Sequence, residues 1–244
     1  MTFDALRLEV ADGDKVHVYG RPELYEARGV FQLRALSLEP LGLGAALVRI
    51  ERLKKTLAAE GLFAAERKRA LPLLPRRIGL LTGSEAAAKR DFLTAVSARF
   101  PAARVLVAET FVQGVKAPAA IVATLSALVA EPEVDVVVVA RGGGSFEDLL
   151  PFSDERVVRA LAACPVPVVS AVGHEQDTPL CDLAADARAS TPTAAARLVV
   201  PDERELRADL TRLRTTLGRD SRRTLERGRQ SLQTDAHRLT RAPA

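Results

Sequence analysis

Four short apolar runs between residues 76 and 201 constrain this chain more than any other feature. They are Ile78-Gly79-Leu80-Leu81, Arg104-Val105-Leu106-Val107-Ala108, Asp135-Val136-Val137-Val138-Val139-Ala140 and Pro167-Val168-Val169-Ser170-Ala171-Val172. Each is short and mostly apolar, the last two rich in β-branched valine, and each gives way to a polar or glycine turn. Helical spacing follows, and it predicts helices over 84–100, 117–130 and 154–163. A strand with one wet face alternates apolar and polar residues, whereas continuous apolar strands are covered on both faces by the helices that join them. The fold expected is α/β, a mostly parallel sheet with helices on both faces.

The flanking segments read differently. Residues 14–41 alternate apolar and polar side chains, as in Lys15-Val16-His17-Val18-Tyr19, which predicts the half-buried strands of a small β module. A charged helix follows over 45–69 and is broken by Leu71-Pro72-Leu73-Leu74-Pro75. After Pro201, leucines at 206, 210, 213 and 217 share one side of a helix, and the stripe returns at 225, 232 and 239, predicting a long, coiled-coil-like helix. The resulting division is 1–44 for the β module, 45–75 for helix and linker, 76–201 for the α/β unit and 202–244 for the start of the long helix.

At 244 residues and 48% hydrophobic content, the chain can bury one substantial core. From Pro201 onward it carries eleven arginines, no lysine and seven acids, an excess equal to the net charge of +4. Such a helix is either a phosphate-binding surface or a solvated face of mixed charge. Met1 to Val10 lack the basic start and apolar run of a secretory signal, and no stretch approaches the roughly 20 apolar residues of a membrane span. The expectation is a cytoplasmic protein without a membrane partner. Cys164 and Cys181 have neither paired spacing nor histidine neighbours, so they are expected to be buried thiols.

Ligands of open α/β sheets bind beyond the carboxyl ends of the strands, which directs attention to the residues that close each run. The third run ends in Arg141-Gly142-Gly143-Gly144-Ser145. Consecutive glycines let a phosphate approach main-chain N–H groups closely, and Arg141 adds a permanently charged fork that matches phosphodiester oxygens. The loop is neither a dinucleotide fingerprint nor a P-loop, because it lacks both spacings. The fourth run ends in Gly173-His174-Glu175-Gln176-Asp177. An imidazole there can move protons near neutral pH, as hydrolysis requires, and Asp177 can orient the ring or hold a metal. Thr82-Gly83-Ser84 and Gln113-Gly114 close the first two runs. Asp186 to Thr193 is a polar turn containing Arg188 and Thr191, whose hydroxyls either cap the next helix or touch a backbone phosphate, capping being favoured.

The blocks Ala140-Arg-Gly-Gly-Gly-Ser-Phe-Glu-Asp-Leu149, Phe152-Ser-Asp-Glu155, Pro167-Val-Val-Ser-Ala-Val-Gly-His-Glu-Gln-Asp177 and Ala185-Asp-Ala-Arg-Ala-Ser-Thr-Pro-Thr193 resemble the signature motifs of the exodeoxyribonuclease VII large subunit. Leu24-Tyr25-Glu26 and Glu60-Gly61-Leu62-Phe63 extend the likeness over nearly the whole chain. The resemblance implies an OB-type module that binds single strands, a catalytic α/β unit, and a helical region that collects several copies of a small subunit. It also implies exonucleolytic hydrolysis of single-stranded DNA to short oligonucleotides. By motif position the catalytic set is Asp91, Arg141, His174 and Asp177. Asp91 enters on the resemblance alone, since its position in a helix reads as a surface acid.

Gly142, Gly143, Gly144, Ser145, Gln113, Gly114, Arg188 and Thr191 complete the expected phosphate and DNA contacts. A metal requirement stays open: Asp91, Asp177 and Glu175 are candidate ligands for Mg²⁺, and an arginine–histidine pair can also cleave phosphodiesters without one. Departures from the family pattern are a β module about half the usual length, a shortened helical region, Leu150 in place of a tryptophan, and Arg197 in place of an acid. The first two bear on processivity and small-subunit recruitment. The rival reading is an inactive single-strand-binding or assembly subunit; a nucleotide-binding enzyme is disfavoured by the lack of an adenine- or ribose-recognition pattern.

Overall fold

A computed structural model describes residues 16–25, 29–40, 43–84, 87–143, 146–173 and 178–240. Its core is a parallel sheet of five strands: β3 (Arg77–Thr82), β4 (Val105–Glu109), β5 (Val134–Ala140), β6 (Val168–Ala171) and β7 (Ala187–Arg188), in the order β4-β3-β5-β6-β7. The four apolar runs became four of these strands. The fifth, β7, lies inside the segment expected to be a turn; two residues carry no periodic signal, and their pairing to Val169 and Ser170 of β6 is a tertiary event.

Side chains alternate between the two faces of the sheet, and each face has its own core. Leu81, Val137, Val139 and Val168 pack beneath α3 (Ala117–Ala130), α5 (Glu155–Ala162) and α6 (Leu180–Ala184). Ile78, Leu80, Val136 and Val138 pack beneath α2 (Ala87–Arg99) and α7 (Pro192–Val199), where Phe92 is fully buried. This two-sided burial is what allows β5 to be an unbroken valine run. α3 has the expected span, α5 is shorter by one residue at each end, and the helix expected over 45–69 stops at Ala59. Asp154 is the N-cap of α5, its carboxylate accepting from the Arg156 N–H at 3.0 Å.

Before the sheet, β1 (Val16–Tyr25) and β2 (Val30–Pro40) form an antiparallel ribbon, followed by α1 (Leu43–Ala59), which docks on the sheet's core through Leu57. Tyr19, Leu24, Phe31 and Leu33 of the ribbon are exposed. After α4 (Phe146–Leu149) and the elements above, the described chain ends in α8 (Glu203–Thr240), 38 residues long with Leu210, Leu213, Leu217, Leu225 and Leu232 exposed along it. Among the described residues no helix is long and apolar enough to cross a membrane. Cys164 and Cys181 are free and buried, and burial pushes both thiols up.

Asp186 ties the segment after α1 to the edge of the sheet. Its carboxylate, 6% exposed, accepts from the Arg69 backbone N–H (2.8 Å), Arg69 Nε (3.1 Å), Arg69 Nη2 (2.8 Å) and the Val168 backbone N–H (2.7 Å). Lys68 Nζ donates to the carbonyls of Leu183 and Ala185 alongside. Burial alone would raise the Asp186 pKa, but Arg69 and the two backbone donors bring it below its usual range. A carboxylate with a depressed folded pKa contributes stability that is complete above its unfolded value, about 4, and is lost as pH falls through the folded value. Asp186→Ala is expected to cost about 3 kcal/mol at neutral pH, because buried donors lose their acceptor. In urea titrations that deficit should shrink in acid; a deficit independent of pH would overturn the assignment.

Candidate active site

The strand order creates the site. From β3 the chain crosses by α2 on one face to β4, then returns by α3 on the other face to β5, on the far side of β3. Helices leaving neighbouring strands toward opposite faces open a crevice at their carboxyl ends. A cavity of about 550 Å³ occupies this position. Its walls are Gly83 and Ser84 after β3 with Ala87 of α2, Thr110 to Gln113 after β4, and Arg141 to Gly143 after β5. A larger cleft of about 790 Å³ lies between α1 and the start of α5, away from the strand ends. Its Arg156 is held by both oxygens of Asp154, at 2.9 and 3.0 Å.

Arg141 is the first residue beyond β5, and its backbone N–H donates to the Ala171 carbonyl at 3.2 Å, locking it to β6. The side chain is 6% exposed, and Nη2 donates to Asp148 Oδ2 of α4 at 2.9 Å. Burial lowers the guanidinium pKa and Asp148 partly restores it; an arginine so paired remains a cation. The contact to Asp148 is made through Nη2, at one edge of the guanidinium. Sequence reading gave Asp148 no role. The only signal was a carboxylate seven residues after the arginine, and only the turn of α4 brings the two together.

The glycines divide by purpose. A Cβ on Gly142 or Gly143 would meet nothing within 4 Å, so neither glycine is imposed by packing; both leave bare backbone facing the crevice. Gly83 is different, because a Cβ there would stand 2.9 Å from Val112 Cγ2, and the loop after β4 could not settle against β3. Gln113 lines the cavity. Gly114 does not; its φ of +81° makes it the turn residue that sends the chain into α3.

Asp91 is exposed on α2, one turn beyond Ala87, which lines the cavity, and has no described partner. Ala87 and Asp91, four residues apart, share a helix face, so Asp91 stands beside the crevice without forming its wall. Arg188 lies two strands from Arg141. Its Nε donates at 2.9 Å to Asp182 Oδ2, and the Asp182 side chain, fully buried, also accepts from Ser170 Oγ at 2.5 Å. Burial raises the Asp182 pKa, against the pull of Ser170 and Arg188. This buried tether was not read from the sequence. Thr191 caps α7, its hydroxyl oxygen accepting the Ala194 N–H at 3.0 Å, and does not line the cavity.

Gly144, Ser145, His174, Glu175 and Asp177 lie outside the described residues. β6 runs parallel to β5, so Val172 and the buried Gly173, which lead toward His174, leave the sheet at the edge where Arg141 stands. Among the described residues no three histidine, cysteine or acidic side chains cluster as metal ligands.

A family model described as "Exonuclease VII, large subunit" matches residues 62–244. The "Exodeoxyribonuclease 7 large subunit" of Streptomyces griseus is 52% identical over 239 residues, covering 98% of this chain and 59% of that protein. The protein of the same name from Streptomyces coelicolor is 57% identical over 200 residues, covering 82% of this chain and 50% of its own length. That of Mycobacterium tuberculosis is 52% identical over 223 residues, covering 88% and 54%. The chain thus spans between half and three-fifths of the length of these curated relatives.

Proposed function

Since the chain belongs to the exonuclease VII large-subunit family, we propose that it hydrolyses single-stranded DNA exonucleolytically to short oligonucleotides, as the catalytic subunit of a cytoplasmic complex. The observation that carries this reading is the convergence of Ser84, Gln113, Arg141 and two bare glycines on one crevice at the carboxyl ends of the parallel strands. The crevice pairs a guanidinium with exposed main chain, a combination suited to a phosphodiester.

In the proposed mechanism Arg141 and the glycine loop hold the non-bridging oxygens of the scissile phosphate. Water attacks phosphorus, a P–O ester bond breaks, and the departing sugar oxygen takes a proton. His174 moves the protons, accepting from water or donating to the leaving oxygen. Asp177 and Asp91 orient the imidazole or position the water; were a divalent ion bound, they and Glu175 would hold it, and it would supply a Lewis acid for the phosphate. Arg188, tethered by Asp182, lies on the path of the strand beyond the scissile phosphate, with Gly144 and Ser145 completing the loop. The ribbon of β1 and β2 belongs to a single-strand-binding module of OB type. The exposed leucines of α8 are the surface for the small subunits.

End-labelled single- and double-stranded DNA of one sequence, incubated with the purified chain, tests the reading, with small subunit and chelator present or absent. The expected result is shortening of the single strand alone. Activity that survives chelation assigns the chemistry to Arg141 and His174 without a metal; activity lost to chelation and restored by Mg²⁺ assigns a metal to the carboxylates. A single strand left intact by folded chain with its small subunit would overturn the proposal.

A further inference from the structure

The crevice has two unlike walls. On one side stand the cation of Arg141 and the bare backbone of Gly142 and Gly143; on the other, the loop after β4 contributes Phe111 and Val112. β3 lies between β4 and β5 in the sheet, so these walls are two strand spacings apart, roughly 10 Å. A single nucleotide fits such a gap with its phosphate at one wall and its base at the other.

Phe111 is 68% exposed, although the large rings of Phe92 and Phe152 beneath the helices are fully buried. Isolated apolar side chains in water are ordinary. Two observations set this one apart. Among the described residues that line the crevice, Phe111 is the one aromatic side chain. Its backbone is also pinned on both sides: the Thr110 N–H donates to the Thr82 carbonyl at 2.9 Å, and Val112 sits against Gly83 where a Cβ would come within 2.9 Å. An exposed ring on a fixed backbone is preorganised to receive a flat partner, since little freedom is left to lose on binding.

We infer that Phe111 is the base-stacking residue of this site, its ring lying against the nucleobase next to the phosphate held by Arg141. The inference rests on the phosphodiester reading above and adds to it a reason for single-strand selection. In a duplex both faces of a base are covered by its neighbours, whereas a single strand can turn one base out onto the ring. Every base offers a π face, so the contact selects strandedness without selecting sequence.

The chain contains no tryptophan, so Phe111→Trp would place a single indole at the site. The variant is made in the full chain, in a His174→Ala background so that the strand is not consumed. It is titrated with a thymidine oligonucleotide and with an oligomer of the same length that keeps the deoxyribose–phosphate backbone but lacks bases. Binding of each is followed independently by the anisotropy of a terminal label. The base-bearing strand should quench the indole in proportion to the fraction bound, and the abasic strand, at saturation, should not.

In the same background Phe111→Ala should weaken binding of the thymidine strand by roughly 5- to 150-fold and affect the abasic strand far less, with an unchanged circular dichroism spectrum. Equal quenching by both oligomers, or undiminished affinity of Phe111→Ala, would overturn the stacking role and leave the phosphodiester site standing. If neither oligomer bound, the phosphodiester reading itself would fall, and the stack with it.

Discussion

Replacement of His174 by alanine is expected to lower the rate of single-strand cleavage by roughly 10²–10⁴-fold, the usual contribution of general acid–base catalysis, while leaving affinity for the strand nearly unchanged. The split follows from the division of labour in the crevice. In the proposed mechanism phosphate holding falls to Arg141 and the main chain of Gly142 and Gly143, which line the cavity, so removing an imidazole would remove proton transfer and little ground-state contact. Single-turnover cleavage of pre-bound, end-labelled oligonucleotide measures the first quantity and anisotropy the second. Gly173, just before the histidine, is buried, and circular dichroism would verify that the variant folds. Cleavage by His174→Ala at the parental rate would reduce the residue to a structural one and favour the inactive strand-binding reading.

Arg141→Ala should fail differently, losing roughly 10²–10³-fold in kcat/KM with both binding and turnover impaired. Its guanidinium would touch the phosphate before and during the reaction, and uniform and transition-state binding are then lost together. Arg141→Lys is expected to recover only part of the loss. In the proposed site Nη2 serves Asp148 at 2.9 Å, and the phosphate would be met by the planar fork in a fixed orientation. An ammonium is a point charge and cannot present two edges in fixed directions. Asp148→Asn should shift kcat/KM in the same direction by a smaller factor, because the guanidinium stays but loses its charged anchor. Full activity in Arg141→Lys would mean that charge alone suffices and that the Asp148 contact has no part in orienting the site.

The elements that could be read directly from residues were those with a local physical cause. Apolar runs marked β3 to β6, and Val134–Ala140 is the clearest instance, because a strand covered on both faces leaves little room for polar positions. Helices placed at 117–130 and 154–163 fell within a residue of α3 and α5, since proline at the start of one and the Asp154 cap of the other leave local marks. Thr191 caps its helix, the favoured of the two roles open to its hydroxyl. The catalytic weight of Asp91 had no such origin. It is an exposed helical acid in the sequence and in the fold, and only the family resemblance sets it apart.

The sequence by itself determined that this chain would build a parallel α/β sheet and that its polar chemistry would gather where the strands end, because periodicity, β-branching and turn residues are properties of neighbours along the chain. The tertiary structure alone decided which ends meet. The order β4-β3-β5-β6-β7 puts the loop bearing Phe111 across from Arg141. The turn of α4 carries Asp148 onto the guanidinium, and a two-residue strand brings Arg188 to the buried Asp182. These are contacts between segments whose separation along the chain says nothing about their distance in space. They are fixed by how two hydrophobic layers close on one sheet, and no local pattern encodes them.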